Sequence, residues 1–210
     1  STKDREYLLN NLSYIVFNSE WSKNRFIKNL NLSNNQKNQL IVIKQSVDPK
    51  KVDLNKKRKI ITFVGKLNRA KGFDIFGDSV CKILDKNPDW KAIAVGDEHR
   101  EKLYFNHKNF KQIGFLSHDK VLKIYEKTSI AVVCSRWEEP FGRTSLEAAS
   151  RGCAIIISKR GGLPETITDG IILNKLNSKT LYEKLKKLIN DNKSRKDLQI
   201  KSLNNFKLTI

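Results

Sequence analysis

Residues 130–165 read IAVVCSRWEEPFGRTSLEAASRGCAIIISKRGGLPE, and the architecture of the chain can be worked out from this segment. Two apolar runs, residues 130–134 and 154–157, flank a segment with a helical pattern from about residue 143 to residue 151. A loop rich in charged residues and glycine follows each run. Short apolar runs that alternate with helices are typical of a parallel sheet whose strands are buried on both faces.

The same alternation covers most of the chain. Three more strand-like segments each end in a glycine: residues 60–64 before Gly65, 91–95 before Gly96 and 110–113 before Gly114. Helical patterns occur at residues 73–84, 120–126 and 181–189, in a polar stretch after Gly96 and in the segment after residue 194. We therefore predict an α/β fold, a doubly wound parallel sheet of Rossmann-like type over residues 59–190, with right-handed crossovers.

The composition favours an anionic ligand without identifying it. Lysine and arginine number 41 against 22 aspartates and glutamates, which gives a formal net charge of +19. Such a charge suits a nucleic acid, an anionic membrane face or phosphorylated sugars. The basic residues are spread along the chain, however, and the run from Lys56 to Lys59 is predicted to be a solvated part of a linker at residues 46–58. The three cysteines lie far apart, which disfavours a disulfide framework or a zinc site.

Glycine and lysine follow the first strand of the predicted sheet. Ligands of such sheets bind in the crevice beyond the carboxyl ends of the strands, so this loop is placed where a ligand would lie. Gly65 has no Cβ and would let the backbone approach a ligand closely. Lys66 and Lys71 could both reach one anionic group if the loop doubles back.

The loop after residue 134 adds a helix start and carboxylates. Gly142 precedes a helix whose free N–H groups suit a phosphate. Glu139 in the loop and Glu147 inside the helix could accept hydrogen bonds from the vicinal hydroxyls of a sugar or a ribose. Taken singly, each residue has an ordinary explanation as a turn glycine, a solvated lysine or a surface glutamate. Their order along the chain is what favours a ligand site.

That order resembles a known family, the family-4 retaining glycosyltransferases with the GT-B fold. Their E-x7-E region is similar to residues 139–149 followed by residues 152–165, where Glu139 and Glu147 have the required spacing. Residues 65–72 resemble the family's G-R-L-x-x-x-K-G loop. The resemblance covers roughly residues 12–190 and implies the C-terminal, nucleotide-sugar-binding half of such an enzyme.

The resemblance implies a role for each matching position. Three residues would be catalytic: Lys66, Lys71 and Glu139. The lysines would neutralise the departing diphosphate, and Glu139 would bind hydroxyls of the donor sugar. The nucleotide would be held by the other matching positions: Gly65, Gly96, Ile113, Gly114, Phe115, Phe141, Gly142, Arg143, Thr144 and Glu147. Among these, Glu147 would bind the ribose, and the base would rest near residues 113–115. Transfer would occur with retention, by attack on the face that the nucleotide leaves.

The family's donor would be a UDP- or GDP-linked sugar, and no further cofactor is expected. No metal site is predicted either, because cations and the helix end replace the metal and the chain has no D-x-D motif. Lys66 departs from the usual arginine and loses its bidentate fork, so that its role could shift toward Arg69.

The resemblance also implies a missing half. Residues 1–45 would be the tail of an N-terminal domain together with the interdomain segment, and residues 191–210 a C-terminal helix. The acceptor site and the catalytic histidine would lie in the missing domain. His99, His107 and His118 stand in no matching context and are assigned no catalysis.

The predicted partners are a nucleotide sugar and a saccharide or glycolipid acceptor, such as a bacterial surface polysaccharide or lipopolysaccharide. We expect a cytoplasmic protein that can contact the inner membrane face peripherally and binds no nucleic acid. Two alternatives stay open. A basic nucleic-acid-binding module would need clustered cations with aromatic platforms or a recognisable reading motif, which the sequence lacks. A related sugar-nucleotide enzyme, such as an epimerase or phosphorylase, would carry different loop signatures.

Overall fold

The structure is a computed structural model that describes residues 1–48 and 52–208. Its helices are α1 (Thr2–Asn11), α2 (Glu20–Ile27), α3 (Asn34–Asn38), α4 (Phe73–Lys86), α5 (His118–Lys127), α6 (Arg143–Ser150), α7 (Ser178–Asn190) and α8 (Asn192–Asn204). Its strands are β1 (Ile15–Phe17), β2 (Leu40–Val42), β3 (Arg58–Val64), β4 (Lys91–Val95), β5 (Phe110–Ile113), β6 (Thr128–Val133), β7 (Ala154–Ser158) and β8 (Ile171–Leu173). Short 3-10 turns lie at Leu54–Lys56 and Leu163–Thr166.

Six strands form one parallel sheet in the order β5-β4-β3-β6-β7-β8. Chain order runs outward in one direction from β3 to β5 and in the other from β6 to β8. The strand order therefore reverses between β3 and β6, which is the position where doubly wound sheets bind their ligands. This topology confirms the predicted doubly wound parallel sheet.

Alternate residues of the central strands are buried against opposite layers of helices. In β7, Ile156 packs into the core beneath α4 and α7, whereas Ile155 and Ile157 pack into the core beneath α5 and α6. Successive side chains of a strand point to opposite faces, so both sets must be apolar when both faces are covered. The apolar run that predicted β7 is unbroken because both faces of this strand are buried.

Helices α5 and α6 form much of the layer on one face. Ala148 and Ala149 of α6 are fully buried, and their small side chains allow the helix to pack close to the sheet. Tyr125 of α5 fills the neighbouring space, and burial raises the pKa of its hydroxyl well above the ordinary value. This close packing fixes the position of the N-terminus of α6 relative to the end of β6.

The first 48 residues form a smaller unit beside the large sheet. Strands β1 and β2 pair in parallel, with Val16 opposite Ile41. Their exposed face carries large apolar side chains: Tyr14, Val16, Ile41 and Ile43. Residues 7–30 were predicted only as short amphipathic segments, and β1 was not predicted. The domain bounds at residues 45, 58 and 190 stay a prediction.

The C-terminal segment returns to the start of the large domain. After α8, Phe206 and Leu208 pack against a small buried cluster of Val47, Phe141 and Leu146. The amide of Val47 donates to the carbonyl of Leu208 at 3.1 Å. Helix α8 ends at Asn204, so the predicted C-terminal helix covers only part of residues 191–210.

One local prediction is wrong. Residues 97–109, all within the described part of the chain, form no helix, although a polar helical stretch was expected after Gly96. In the run from Lys56 to Lys59, which was predicted to be solvated, Lys56, Arg58 and Lys59 are exposed, whereas Lys57 is partly buried. Lys57 Nζ donates to the carbonyls of Tyr125 at 2.8 Å and Arg151 at 2.6 Å, near the C-terminal ends of α5 and α6. Residues 49–51 of the predicted linker lie outside the described residues.

Candidate functional site

Two adjoining cavities open where the loops after β3 and β6 leave the sheet. The first, called here the α6 cavity, has a volume of about 210 Å³. Its lining consists of Phe63, Val64, Gly65, Lys71, Val133, Ser135, Glu139, Gly142, Arg143 and Thr144. Most of these side chains belong to the ends of β3 and β6 and to the start of α6. The cavity thus lies at the point where the strand order reverses.

A lysine and a glutamate meet inside the α6 cavity. Lys71 Nζ lies 2.5 Å from Glu139 Oε1, and the side chains are 31% and 14% exposed. The two residues are 68 positions apart and come from loops that follow different strands. Sequence reasoning placed both at this edge of the sheet, but their direct contact was not predicted.

The loop before α4 turns back on itself so that Lys71 points into the cavity. Gly72 begins the helix with φ +78°, and a Cβ at this position would lie 1.9 Å from the carbonyl oxygen of Cys134. The amide of Lys71 donates to Asn68 Oδ1 at 3.0 Å, and Asn68 Nδ2 donates to Glu98 Oε2 at 2.8 Å. Glu98, from the loop after β4, therefore supports the loop that carries Lys71.

Glu98 makes this support sensitive to acid. Hydrogen bonds from Arg100 and Asn68 lower the pKa of Glu98 to about 2, below the value of about 4.3 expected in an unfolded chain. A carboxylate with a depressed pKa stabilises the fold above about pH 4.3, and this stabilisation is lost as the pH falls through about 2. We expect the urea midpoint to fall more between pH 5 and pH 2 for the wild type than for Glu98→Gln. Equal falls would show that this carboxylate adds nothing to stability.

Helix α6 presents its first turn to the same cavity. Its N-cap is Gly142, with φ +116°, so no side chain caps the first amides. Helices α4 and α5, which begin at the same edge of the sheet, also lack a side-chain cap, whereas α1, α2, α3, α7 and α8 each have one. The amides at the start of α6 and the positive end of its dipole are thus available to an anion.

Glu147 lies one turn inside α6 and is almost fully buried, at 4% exposure. Its Oε1 accepts from Arg143 Nε at 2.7 Å and lies 2.9 Å from His118 Nε2. Arg143 lines the α6 cavity, so this carboxylate contacts a residue of the cavity lining but does not line the cavity itself. His118 was assigned no role from the sequence, because its proximity to Glu147 depends on how α5 packs beside α6.

The second cavity, called here the β4 cavity, has a volume of about 340 Å³ and shares Val64 and Gly65 with the first. Its lining consists of Val64, Gly65, Lys66, Val95, Gly96, Asp97, Phe115, Leu116 and Val121. Phe115 is 79% exposed and forms part of the rim. A mostly apolar cavity that continues a polar one is suited to a ligand with a flat base at one end and phosphates at the other.

Not every predicted position reaches a cavity. Ile113, Gly114 and Glu147 line neither of the two, whereas Phe115 lines the β4 cavity. The side chain of Phe141 is buried in the cluster with Val47, so only its backbone is near the site. Lys66 lines the β4 cavity and Lys71 the α6 cavity, which places the two lysines on adjoining sites. Arg69 pairs with Glu101 at 2.5 Å and lines neither cavity.

A third cavity lies at the opposite edge of the sheet and is called here the basal cavity. Its volume is about 410 Å³, and it is lined by Val52, Asp53, Asn55, Lys56, Lys57, Arg58, Glu126 and Lys127. Its cations make it the competing position for an anionic ligand. Among the residues that the structure describes, it has neither the exposed helix N-terminus nor the carboxylate–lysine contact of the α6 cavity, because it lies where β3 begins and where α5 ends.

None of the helices within residues 1–48 and 52–208 has the length and apolar character needed to cross a membrane. Within the same residues, no three His, Cys, Asp or Glu side chains are grouped so that they could hold a metal ion.

Comparisons with known proteins agree on one family. A family model described as "Glycosyl transferases group 1" matches residues 44–204. The uncharacterized glycosyltransferase MJ1178 of Methanocaldococcus jannaschii is 31% identical over 205 residues, which cover 92% of this chain and 54% of that protein. The lipopolysaccharide core biosynthesis mannosyltransferase LpsB of Rhizobium meliloti is 30% identical over 131 residues, which cover 58% of this chain and 37% of that protein.

A solved structure resembles the whole fold. Anabaena Alr3699/HepE, in complex with UDP and glucose, superposes with a TM-score of 0.77 at 18% identity, covering 98% of this chain and 62% of that chain. At this identity the likeness shows the fold alone. The present chain spans about half or less of the length of the two relatives named above.

Proposed function

The chain belongs to the glycosyl transferases group 1 family, and from this premise we propose that it is the donor-binding half of a glycosyltransferase. The observation that carries the proposal is the contact of Lys71 with Glu139 beside the open N-terminus of α6. A diphosphate needs cations and N–H donors, whereas the attached sugar needs a hydrogen-bond acceptor. The α6 cavity holds both kinds of group next to each other.

The diphosphate binds to the amides at the start of α6 and to Lys71 Nζ. These groups stabilise the negative charge that grows on the phosphate oxygens as the bond to the sugar breaks. Lys66 approaches from the β4 cavity and stabilises the same charge from the other side. No metal or further cofactor is required for this step, because fixed positive groups already face the leaving group.

Glu139 binds hydroxyls of the donor sugar. A carboxylate so close to a diphosphate would repel it, and the contact with Lys71 offsets that repulsion. Glu147 binds the ribose hydroxyls, and its buried carboxylate is held in place by Arg143 and His118. The base lies in the β4 cavity beside Phe115. We propose that the sugar is transferred with retention, through attack on the face from which the nucleotide departs.

The acceptor would bind to a part of the protein that precedes residue 45. The exposed apolar face of β1 and β2 fits a further layer of structure packed against it. A saccharide or lipid-linked acceptor is proposed, and a lipopolysaccharide is favoured by the relationship to LpsB, which is named for lipopolysaccharide core biosynthesis. Peripheral contact with a membrane is proposed on the same grounds.

Calorimetry with the 210-residue chain tests nucleotide binding and base choice together. UDP, GDP and ADP are titrated first, followed by UDP-glucose and GDP-mannose. We expect one diphosphate to bind at least tenfold more tightly than the other two and its sugar conjugate to bind more tightly still. A chain that binds none of them at millimolar concentration would contradict the proposed function. Salt-sensitive binding of nucleic acid with a defined register would favour the basic nucleic-acid-binding alternative.

A further inference from the structure

The loop that carries Glu139 is attached to a helix from outside the large sheet. This loop, residues 138–142, is called here the acidic loop. Ser19 Oγ donates to the carbonyl oxygen of Pro140 at 2.5 Å, and Ser22 Oγ donates to the same oxygen at 3.0 Å. Ser19 is completely buried and precedes α2 as its N-cap, so this contact excludes solvent.

Glu165 holds the same helix from the other side. Its two carboxylate oxygens accept from the first amides of α2: Oε2 from Glu20 at 2.9 Å and Oε1 from Trp21 at 2.8 Å. Lys44 Nζ lies 3.1 Å from Oε2. Although burial alone would raise the pKa of Glu165, the hydrogen bonds from Trp21 and Glu20 outweigh it and lower the pKa. The carboxylate is therefore ionised at neutral pH and caps the amides of Glu20 and Trp21, while the Ser19 side chain caps the amide of Ser22.

The acidic loop and the turn that bears Glu165 are also bound to each other. The amide of Gly162 donates to the carbonyl of Glu139 at 2.7 Å, and the amide of Gly161 donates to Glu138 Oε2 at 2.7 Å. Three pieces of chain thus meet around the backbone of Glu139: the acidic loop, residues 161–165 and the start of α2. Among these three, only α2 lies outside the residues matched by the family model.

We propose that Ser19 and Glu165 are positioning residues that fix the acidic loop against the start of α2, so that donor-sugar binding by Glu139 depends on where α2 lies. The inference rests on the proposed function, because it assigns the sugar contact to Glu139. Neither Ser19 nor Glu165 touches the cavity where the diphosphate binds. Replacing either residue should therefore reduce the affinity that the sugar adds to donor binding, while the affinity for the nucleotide stays the same.

The coupling has a mechanical consequence. A displacement of α2 breaks the bonds to the Pro140 carbonyl and uncaps two amides of its own first turn. The bonds from Ser19 to Pro140 and from Trp21 to Glu165 are partly buried, so water could replace them only in part. The acidic loop and α2 therefore move together or not at all. The position of α2, in the segment before the large sheet, therefore affects the position of Glu139, which binds the donor sugar.

The test uses the 210-residue chain and the variants Ser19→Ala and Glu165→Gln, with Asn177→Ala as a matched control. Asn177 caps α7 in the same manner, by accepting from the amide of Thr180, but lies away from the site. Hydrogen exchange is followed in peptides over residues 138–146, 159–167 and 178–190. Calorimetry measures the Kd ratio between a nucleoside diphosphate and its sugar conjugate, for UDP with UDP-glucose and for GDP with GDP-mannose.

We expect faster exchange over residues 138–146 and 159–167 in both site variants, and over residues 178–190 only in the control. The Kd of the bound diphosphate should change less than twofold, whereas the advantage of its sugar conjugate should fall about tenfold. Unchanged exchange in the acidic loop overturns the proposal whether or not a nucleotide binds. An equal loss of affinity for the diphosphate and for its sugar conjugate also overturns the proposal. So does a wild type that binds the sugar conjugate no more tightly than the diphosphate. A wild type that binds no nucleotide but shows the expected exchange contradicts the proposed function instead.

Discussion

Replacing Lys71 by alanine is expected to lower the rate of sugar transfer about 10²–10³-fold, the usual effect of removing one group that stabilises a developing oxyanion. The variant loses the cation that faces the leaving diphosphate. It also leaves the Glu139 carboxylate without its partner at 2.5 Å, so a negative charge then faces the phosphates. The rate is measured in a protein that carries this chain together with its acceptor-side half.

Two further variants separate charge from size at this position. Lys71→Arg keeps the positive charge and should retain much of the rate. Lys186→Ala, on the exposed surface of α7, removes an equal charge far from the cavity and should leave the rate within twofold. Near-normal transfer by Lys71→Ala would remove this lysine from the mechanism, even if the family assignment stands.

The second large effect is expected on stability, from Gly72→Ala. An alanine Cβ would lie 1.9 Å from the carbonyl oxygen of Cys134 and 2.8 Å from its carbon, both of them backbone atoms that cannot turn away. The residue would also have to keep φ +78°. Strain in the left-handed region and overpacking each cost about 1–3 kcal/mol, so we expect a loss of about 2–5 kcal/mol in the free energy of unfolding.

Urea unfolding measures this loss, and Gly114→Ala is the matched control. At Gly114 an added Cβ would meet no atom within 4 Å, so the control should change the free energy of unfolding by less than about 0.5 kcal/mol. A Gly72→Ala variant as stable as the control would show that the loop before α4 can lie farther from β6. The contact between Lys71 and Glu139 would then lack its structural basis.

The sheet could be predicted because its sequence signal is strong. Residues such as Ile155 and Ile156 must be apolar on both faces of a buried strand, and each of the five strands predicted for the sheet is followed by a loop that contains glycine. The convergence of Lys71, Glu139 and Gly142 followed from the rule that parallel strands end at one edge. The family assignment and the fold are both confirmed. The roles given to individual residues stay predictions.

The helix predicted after Gly96 is absent because contacts with distant residues hold this segment in another conformation. The polar residues there make contacts that a helix would not allow: Glu98 accepts from Asn68, and Glu101 accepts from the amide of Arg69 at 2.9 Å. Phe105 then packs edge-on against Phe73, with ring centroids 5.4 Å apart. Helical periodicity in a polar segment is a weak signal, and contacts between distant residues override it.

Other features were beyond sequence reasoning because they depend on packing. The short strands β1 and β8 have three residues each, too few to show a pattern. Lys57 is surrounded by basic residues in the sequence, yet its ammonium group is partly buried because it donates to carbonyls near the C-terminal ends of α5 and α6. Ser19 was not singled out from the sequence, because its contact with the Pro140 carbonyl joins residues that are 121 positions apart.

The proposed function depends most on the α6 cavity as the diphosphate site, and amide NMR of the 15N-labelled chain tests this directly. On titration with UDP-glucose or GDP-mannose, whichever binds, we expect the largest shifts at Gly65, Arg143 and Thr144, with smaller shifts at Phe115. Shifts confined to Lys56, Lys57 and Lys127 would place the ligand in the basal cavity instead. That result would contradict the assignment of the diphosphate to the α6 cavity. The same conclusion would follow if the amides at the start of α6 did not shift at saturating ligand.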